Sequence, residues 1–383
     1  MVAALIASCT GLSYAELCSV YPKEAAEYNY VKAAFNRRTL SFLIGWMMIL
    51  ASVVAAVTVA LGFAGYFSHM FGGNIILIAI ILILILSIIN YIGIQESSNF
   101  NVIATLIEVV GLLVVIGVGL YIFLKHGFQV DLFELPPNTT LFHSIFVTTS
   151  VIFFAYLGFE DIVNVAEETK NARKVVPKAL VISIIGSTIL YCLVALSSVG
   201  ILGWEKLAAS KAPLTEVVSS VIPNSDLIFS LIALFATANT SLILLIVGSR
   251  VMYGMSKDKS IPKPFSKLNQ NHTPTYSIIF VTVVSILLAL IGNIKTIGLM
   301  TDLNIFLVYG MVNLSLITLR YKKSYKTNHF RTPFNIGKMP VLALLGFISS
   351  IFMLFYFEKN IFLLELVAIV IGLILYKCCK FKQ

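Results

Sequence analysis

The sequence predicts an all-α, polytopic membrane protein. Hydrophobic residues make up 58% of the 383 residues and charged residues only 12%, which is about half the charged fraction of a typical soluble domain. The apolar residues form runs of about 20, long enough at about 1.5 Å per residue to cross a hydrocarbon layer of ~30 Å as a helix. Strands of a membrane barrel would be about ten residues long and would alternate in polarity. Because the runs do neither, each is predicted to be a helix that satisfies its own backbone hydrogen bonds.

Eleven membrane spans are predicted from these runs. The clearest is the third, because Ile75 to Ile94 is almost unbroken Ile and Leu. The first run could be mistaken for a signal peptide, but it lacks a basic leader and carries Glu16 where a cleavage site should follow, so that reading is rejected. The predicted spans are 2–20, 40–67, 75–94, 102–124, 143–163, 179–202, 227–252, 275–292, 297–319, 339–357 and 360–376.

The basic residues fall mainly on one side of the predicted membrane. When the loops are alternated from a cytoplasmic carboxyl terminus, 22 of the 27 Lys and Arg residues lie on the cytoplasmic side and five on the other. By the positive-inside rule, loops near 23–38, 170–178 and 320–338 are predicted to face the cytoplasm, and 205–225 to face outward. The net charge of +9 therefore indicates topology and no nucleic-acid-binding surface.

Several function classes lack their sequence signatures. The five cysteines include no CxxC pair and form no even framework, so a disulfide scaffold is not indicated. The five histidines are not paired at metal-ligand spacing, and the chain contains neither HExxH nor the phosphate-binding sequence GxxxxGK followed by Ser or Thr. Since no nucleophile–base pair or cofactor loop is found either, the sequence predicts no enzyme, no cofactor, no metal site and no direct ATP hydrolysis.

One short external stretch is predicted to be an amphipathic helix. Within 213–222, five apolar residues fall on one helical stripe, and the stretch is too short to cross a membrane. It is expected to lie over the outer face. It could be a lid or an inert surface helix, and the sequence favours neither.

The most informative segment runs from Phe153 to Asp161. Two acids, Glu160 and Asp161, follow Gly158 inside an apolar span, and ionisable groups in hydrocarbon are costly enough to require a functional reason. A glycine flanked by aromatic residues is a place where a helix can unwind, which frees carbonyl groups for a ligand cation. The half-helix that restarts directs its positive end at a carboxylate. The alternative is that the span ends early and both acids are cytoplasmic; the residues alone favour neither reading.

Glu108 stands alone in the middle of the fourth run, between Ile107 and Val109. A charged carboxylate near the bilayer midplane costs at least ~2.5 kcal/mol, and Lys125 is the nearest basic residue along the chain. A carboxylate that exchanges its proton near a site open alternately to each side can carry that proton across, so Glu108 is the candidate proton-coupling residue. The alternative is a structural Glu that is hydrogen-bonded to a neighbouring helix. Glu365, in the last span, is read as structural or interfacial.

Segment 153–177 resembles the sixth helix of the amino acid–polyamine–organocation (APC) superfamily, whose members carry a closely similar pattern, FFAYxGFE…AEExKNP…P. This chain has FFAYLGFED…AEETKN…P, with Ala172 where the family usually has its first Pro. Other motifs, in the family's order, extend the resemblance along the whole chain. They are Ser13–Leu17 (SYAEL), Glu27-Tyr28 (the end of the family's GGEY, with Ala25-Ala26 replacing both glycines), Gly45-Trp46, Ala236–Asn239, Ser249-Arg250, Thr273-Pro274 and Arg331–Phe334.

The resemblance implies a LeuT-like bundle of two inverted five-helix repeats, in one permease domain over 1–383. The remainder of the first repeat is expected at 1–124, the second repeat at 143–319, and two additional helices at 339–377. Residue 2 aligns with the family's second helix, so the first helix is expected to be absent from this chain. The family's Gly-rich loop that holds the substrate carboxylate would be absent with it.

By the same resemblance, the expected substrate is an amino acid or related amine, which is carried through the lipid bilayer of the cell by exchange or by an ion gradient. Its ammonium group would meet the backbone carbonyls of Phe154, Ala155 and Leu157, with Gly158 permitting the break. The family often places a Lys near Glu108, and a proton is favoured over sodium as the coupling ion. The alternative is an inert or regulatory permease homologue, against which an upstream broken helix would argue. A channel is a weaker third reading, because no filter loop or charged ring is found.

Overall fold

The fold is a bundle of helices, most of them long and apolar. The computed structural model describes residues 1–127, 141–210, 212–290, 292, 294–323, 325 and 330–380, without the side chains of 94–98, 143, 294–297, 379 and 380. The helices are α1 (Val2–Val20), α2 (Ala26–Phe35), α3 (Arg38–Phe71), α4 (Ile75–Ile92), α5 (Ile94–His126), α6 (Leu141–Ile152), α7 (Asp161–Asn164), α8 (Ala172–Leu202), α9 (Trp204–Ala209), α10 (Pro213–Ser219), α11 (Asp226–Lys257), α12 (Thr275–Ala289), α13 (Ile294–Tyr321), α14 (Val341–Leu354) and α15 (Lys359–Lys380). Three 3₁₀ turns (Phe153–Tyr156, Ala166–Glu168 and Lys263–Ser266) and a hairpin of two short antiparallel strands, β1 (Asn335–Ile336) and β2 (Met339–Pro340), complete the regular elements of the described part.

The predicted class of all-α polytopic membrane protein is confirmed. Among the described residues, nine helical segments are long and apolar enough to cross a membrane, and one of them is the segment 144–164 that contains the shorter α6 and α7. Two further apolar helices, α12 and α14, are shorter, at 15 and 14 residues. All of these elements lie where spans were predicted. The total of eleven spans stays a prediction.

The centre of the bundle is formed by α3 and α11, which pack side by side. In α3, 83% of the most apolar window is buried, whereas in α8 the share is 11%, so α3 is central and α8 is peripheral. Small residues allow the close packing, because Gly248 on α11 lies against Ser52 and Val53 of α3. The hydroxyl of Ser241 also donates to the carbonyl of Ala56 at 3.1 Å, which ties the two helices together inside the core.

Polar side chains join the first helix to the later part of the chain. On α13, Asn313 accepts a hydrogen bond from Ser13 at 2.7 Å and donates one to Thr10 at 3.0 Å. One turn further along α1, Glu16 forms a buried ion pair with Arg320 at the end of α13. The backbone N–H of Thr332 also donates to Glu16 at 2.7 Å. These bonds hold the loop before β1 against α1 and α13.

The amphipathic helix predicted within 213–222 is present as α10; its position on the outer side stays a prediction. Its apolar stripe is buried in part. Val217 and Val218 form a small apolar cluster with Val115 and Val118 of α5 and Phe229 of α11, whereas Ile222 is 42% exposed. The helix ends at Ser219, three residues before the end of the predicted stretch. Its position against α5 and α11 places it next to Glu108, as described below.

Candidate functional site

The span that begins with α6 is interrupted in its middle. The helix ends at Ile152, continues as a 3₁₀ turn to Tyr156, and restarts only at Asp161. We call residues 153–160 the interruption. Gly158 has a φ of +109°, a backbone conformation that side chains disfavour and glycine adopts readily. Glu160 and Asp161 are only 2% and 7% exposed, so the alternative, in which the span ends early and both acids are cytoplasmic, gains no support from their burial.

The interruption leaves some backbone carbonyls without a helical partner. The carbonyl of Phe154 accepts from the N–H of Leu157 at 3.2 Å, and the carbonyl of Gly158 accepts from Asp161 at 3.2 Å. Within the described residues, no backbone hydrogen bond of the turns and loops ends on the carbonyls of Ala155 or Leu157. Of the three predicted ammonium-binding carbonyls, that of Phe154 is therefore already engaged.

A cavity of about 180 Å³ lies beside the interruption, between it and the central helices α3 and α11. We call it the interruption cavity. Three of the predicted site residues, Phe154, Leu157 and Gly158, line it, together with Asp161. Ala155 is exposed and does not line the cavity. The remaining lining residues are Ala55 and Val59 from α3 and Thr240, Ile243 and Leu244 from α11.

Behind the interruption, three carboxylates are buried close together. Glu160 accepts a hydrogen bond from the backbone N–H of Gly158 at 3.1 Å, and its charge interacts with those of Asp161 and Glu27. Glu27 lies on α2, where the side-chain amide of Asn164 donates to both of its oxygens at 3.2 and 3.3 Å. The side-chain oxygen of Asn164 (Oδ1) in turn accepts a hydrogen bond from the backbone N–H of Ala26, at the start of α2, at 2.9 Å. Asn164 therefore links α7 firmly to α2.

Two tyrosines face these carboxylates. Tyr14 and Tyr309 are fully buried and interact electrostatically with Glu27 and Glu160, but neither hydroxyl makes a hydrogen bond of standard geometry. Their rings contact each other edge to face at 5.8 Å between centroids, and both contact Phe159. Sequence reasoning singled out Glu160 and Asp161 but missed Tyr309, because nothing in its apolar run distinguishes one tyrosine from its neighbours.

Asp302 is a further buried acid that sequence reasoning missed. It lies on α13 with 1% of its surface exposed, and its carboxylate interacts with the backbone N–H of Phe154 in the interruption. Its Oδ1 atom has no hydrogen-bond partner in the described structure. An acid inside the ninth apolar run was the available signal, of the same kind that drew attention to Glu108.

Glu108 lies at a second cavity of about 190 Å³, the Glu108 cavity, which is separate from the interruption cavity. It is lined from α5, α10 and α11 and by Tyr66 of α3, and α10 contributes Leu214 and Thr215. No hydrogen bond or ion pair of the Glu108 side chain is found among the described residues, so the alternative of a Glu hydrogen-bonded to a neighbouring helix gains no support. Tyr191 connects the two regions, because it contacts Tyr156 edge to face at 5.4 Å and interacts electrostatically with Glu108.

A bundle of long apolar helices, one of which is interrupted beside a small cavity, is typical of a membrane transporter. A family model described as amino acid permease matches residues 1–371, and the chain belongs to this family. The predicted membership of the APC superfamily is thereby confirmed.

Named relatives carry the same description. The branched-chain amino acid permease BcaP of Bacillus subtilis is 27% identical over 399 residues, which cover 98% of this chain and 83% of the relative. BcaP of Lactococcus lactis is 24% identical, with 98% and 85% covered. The vacuolar cationic amino acid transporter 4 of Arabidopsis thaliana is 26% identical, with 84% of this chain and 56% of the relative covered. The chain is an integral membrane protein of amino acid transport.

Proposed function

We propose that the chain transports a neutral amino acid with an aliphatic side chain, bound in the interruption cavity. The observation that carries this proposal is the lining of the cavity. Apart from Asp161 and Thr240, the side chains around it are apolar, and they come from three elements that meet at the helix break. Transporter sites of this kind combine an unwound backbone for the polar end of a ligand with a shaped pocket for the rest.

The polar end of the substrate has two candidate partners. The carbonyl of Leu157 lies in the interruption and accepts no backbone hydrogen bond of the turns and loops in the described residues. The carboxylate of Asp161 lies 3.7 Å from the position that a Cβ on Gly158 would take, so it faces the same space. An ammonium group between them would donate a charge-assisted hydrogen bond to each. In this proposal Phe154 and Gly158 shape the site, and Ala155 no longer belongs to it.

The size of the cavity and its polarity favour an aliphatic side chain. A cavity of about 150 Å³ is enough to hold benzene, so one of about 180 Å³ accommodates a group the size of a leucine side chain. A cationic side chain would need a second carboxylate at the far end of the cavity, where Ala55, Val59 and Ile243 lie. Two relatives are named for branched-chain substrates and others for cationic ones; the lining favours the former.

The test is binding of radiolabelled leucine and arginine to the purified chain in two Gly158 variants. Both Gly158→Ala and Gly158→Leu place a side chain on backbone at φ +109°, so both bear the same backbone strain. Only Leu fills the cavity, and it is expected to abolish leucine binding, whereas Ala leaves part of it. Val59→Phe on α3 fills the cavity without backbone strain and should reduce leucine binding likewise. Leucine binding as in wild type in both filling variants, or a clear preference for arginine, would contradict the proposal.

We further propose that a proton drives transport through Glu108. The support is its environment: it lies at a cavity covered by α10, it has no ion-pair partner in the described residues, and Tyr191 lies between it and the interruption. A carboxylate in such a place can gain or lose a proton without breaking a structural bond. In this proposal α10 acts as the external lid over the proton site.

The coupling proposal is tested with Glu108→Gln in liposomes. Exchange of labelled leucine for internal leucine should persist, while accumulation driven by an imposed pH gradient should be lost. Glu365→Gln is the matched control, because Glu365 is another glutamate in a long apolar helix and lies outside both cavities. If Glu108→Gln still accumulates leucine under a pH gradient, or if Glu365→Gln loses this accumulation to the same extent, Glu108 is not the coupling residue.

The arrangement in the membrane is also a proposal. We infer an inverted-repeat core (1–124 and 143–319) with two additional helices (339–377), in the plasma membrane with a cytoplasmic carboxyl terminus. The excess of basic residues on one side supports this orientation. A cysteine introduced by Ser219→Cys should react with a reagent added outside intact cells. A cysteine introduced by Thr169→Cys should not react.

A further inference from the structure

A third cavity lies away from both of these sites, where α2, α3, α11 and α15 meet. We call it the basic cavity. Its volume is about 320 Å³, and three of its lining side chains are basic (Lys32, Arg38 and Lys259) against one acid, Asp258. We propose that the basic cavity binds the phosphate of an anionic phospholipid headgroup. This inference is independent of the proposed substrate, since the basic cavity shares no lining residue with the other two.

Basic side chains outnumber acids in the lining of the basic cavity. Asp258 already accepts hydrogen bonds from the Lys32 ammonium and from the Tyr28 hydroxyl, so this acid and Lys32 largely neutralise each other. Arg38 lines the same cavity as Tyr28 and Lys32. A guanidinium offers paired N–H donors that match two phosphate oxygens. Arg38 is therefore the main proposed phosphate partner, and Lys259 lines the same cavity.

The start of α3 adds to the positive potential. This 34-residue helix begins at Arg38, its first turn contains no acid, and no side chain caps its free N–H groups. The amino end of a helix carries partial positive charge and exposed N–H donors, which favour a phosphate. The helix end supports the basic side chains here and would not define a site without them.

The position of the basic cavity favours a lipid over a soluble anion. Both α3 and α15 belong to the helical segments that can cross a membrane, and Tyr376 lines the cavity two residues before the end of the second of these segments. Its ring contacts Phe42 of α3 at 5.2 Å, and tyrosines are enriched at the level of lipid headgroups. The basic cavity therefore lies near the end of a helix that can cross a membrane, where lipid headgroups would be found.

Native mass spectrometry of the purified full chain tests the proposal, with phosphatidylglycerol and phosphatidylcholine as probes. The wild type should bind phosphatidylglycerol more tightly than phosphatidylcholine. Each basic residue near a lipid surface contributes about 1 kcal/mol, so Arg38→Gln with Lys259→Gln should weaken phosphatidylglycerol binding about 30-fold. The control is Arg173→Gln with Lys174→Gln, two exposed basic residues outside the basic cavity, which removes the same charge and should leave the preference in place.

Two outcomes would overturn the proposal. Equal weakening in the two double variants would mean that the lipid responds to overall charge and occupies no defined site. Binding of inorganic phosphate that depends on Arg38 and Lys259, without any preference for phosphatidylglycerol, would identify a soluble anion as the ligand. Melting temperatures without added lipid establish that the variants fold. If the double variant melts early, Arg38→Gln alone serves, with an expected loss of about 5-fold.

Discussion

Glu16 and Glu108 are both glutamates in helices long enough to cross a membrane, and their surroundings are opposite. Glu16 on α1 is fully buried and accepts hydrogen bonds from Arg320 at 2.7 Å, from the Thr332 N–H at 2.7 Å and from the Tyr325 hydroxyl at 3.3 Å. Glu108 on α5 is half-buried beside a cavity, and none of the described residues forms an ion pair with it. The first carboxylate has every bond it can use, and the second has none that would be lost on protonation.

This difference separates structural acids from candidate functional ones. A buried carboxylate that is fully paired stabilises the fold as part of that pair, because removing either partner leaves a buried charge without compensation. A carboxylate without partners can change protonation state at little structural cost. The number of partners therefore tells us more than burial alone about which acids can take part in a transport cycle.

The largest effect is expected at the paired acid. Arg320→Met leaves the Glu16 carboxylate buried and unpaired, a change that typically costs about 3–5 kcal/mol, so the melting temperature in detergent should fall steeply. Lys257→Met removes the half-exposed partner of Glu167 and should cost no more than about 1 kcal/mol. Removing both charges with Glu16→Leu and Arg320→Met should recover part of the loss. Equal small shifts in Arg320→Met and Lys257→Met would show that the buried pair has no special weight.

The next largest effect is expected where α11 passes the corner between α1 and α2. A Cβ on Gly254 would lie 2.9 Å from the Cβ of Ala25 and about as close to backbone atoms of Glu24 and Ala25. Backbone atoms cannot move aside easily, so Gly254→Ala should cost about 1–3 kcal/mol through overpacking. Gly62→Ala on α3 is the control, because a Cβ there meets nothing within 4 Å. Similar melting temperatures for the two variants would mean that this corner is not tightly packed.

The long apolar runs and the interruption could be predicted because their signals are local. Composition over about 20 residues predicts a span, and Gly158 between aromatic residues indicates a break. The family resemblance indicated that glycine is usual at the position of Ala25. The backbone there does adopt a left-handed conformation, with a φ of +50°. The bonds that complete the site are not local. Asn164 and Glu27 are 137 residues apart in the chain, and no sequence pattern in either segment specifies the other.

The same limit explains how Glu16 was understood. From the sequence it served to reject a signal peptide and as part of the SYAEL motif. Its role as half of a buried ion pair was not visible, because its partner Arg320 lies 304 residues away. Glu108 was noticed because it is conspicuous among Ile and Val, and the fact that α10 covers its cavity became apparent only in three dimensions. An isolated acid in an apolar run is therefore visible in a sequence, whereas the partners that decide its role are not.

A third glutamate, Glu24 in the loop between α1 and α2, is expected to make the stability of the protein depend on pH. Burial, with the nearby Glu167 carboxylate, raises the pKa of Glu24 to about 7, although Lys257 and Arg250 oppose the shift. An unfolded chain has a Glu pKa of about 4.3, so the folded state binds this proton more tightly. The stability from Glu24 is thus fully present below about pH 4.3 and is lost as the pH rises to about 7.

Melting temperatures between pH 5 and pH 8 check this expectation. The wild type should lose stability across that range, and Glu24→Gln should flatten the decline. Part of it should persist, because burial also raises the pKa of Glu27 to about 7. Glu205→Gln on the short α9 replaces an exposed glutamate and should leave the profile unchanged. A profile of Glu24→Gln that matches the wild type would show that Glu24 is ionised throughout.

The smallest effect on stability is expected at Glu108 itself. Glu108→Gln keeps the shape of the side chain, breaks no hydrogen bond or ion pair found in the described residues, and removes a charge from an apolar surrounding. The free energy of unfolding should therefore stay within about 0.5 kcal/mol of the wild-type value, as for substitutions that remove no special feature. Accumulation driven by a pH gradient should nevertheless be lost. A loss of stability as large as that of Arg320→Met would mean that Glu108 has structural partners, and its contrast with Glu16 would disappear. A stable protein that has lost only its response to the pH gradient is the result that distinguishes a coupling acid from a structural one.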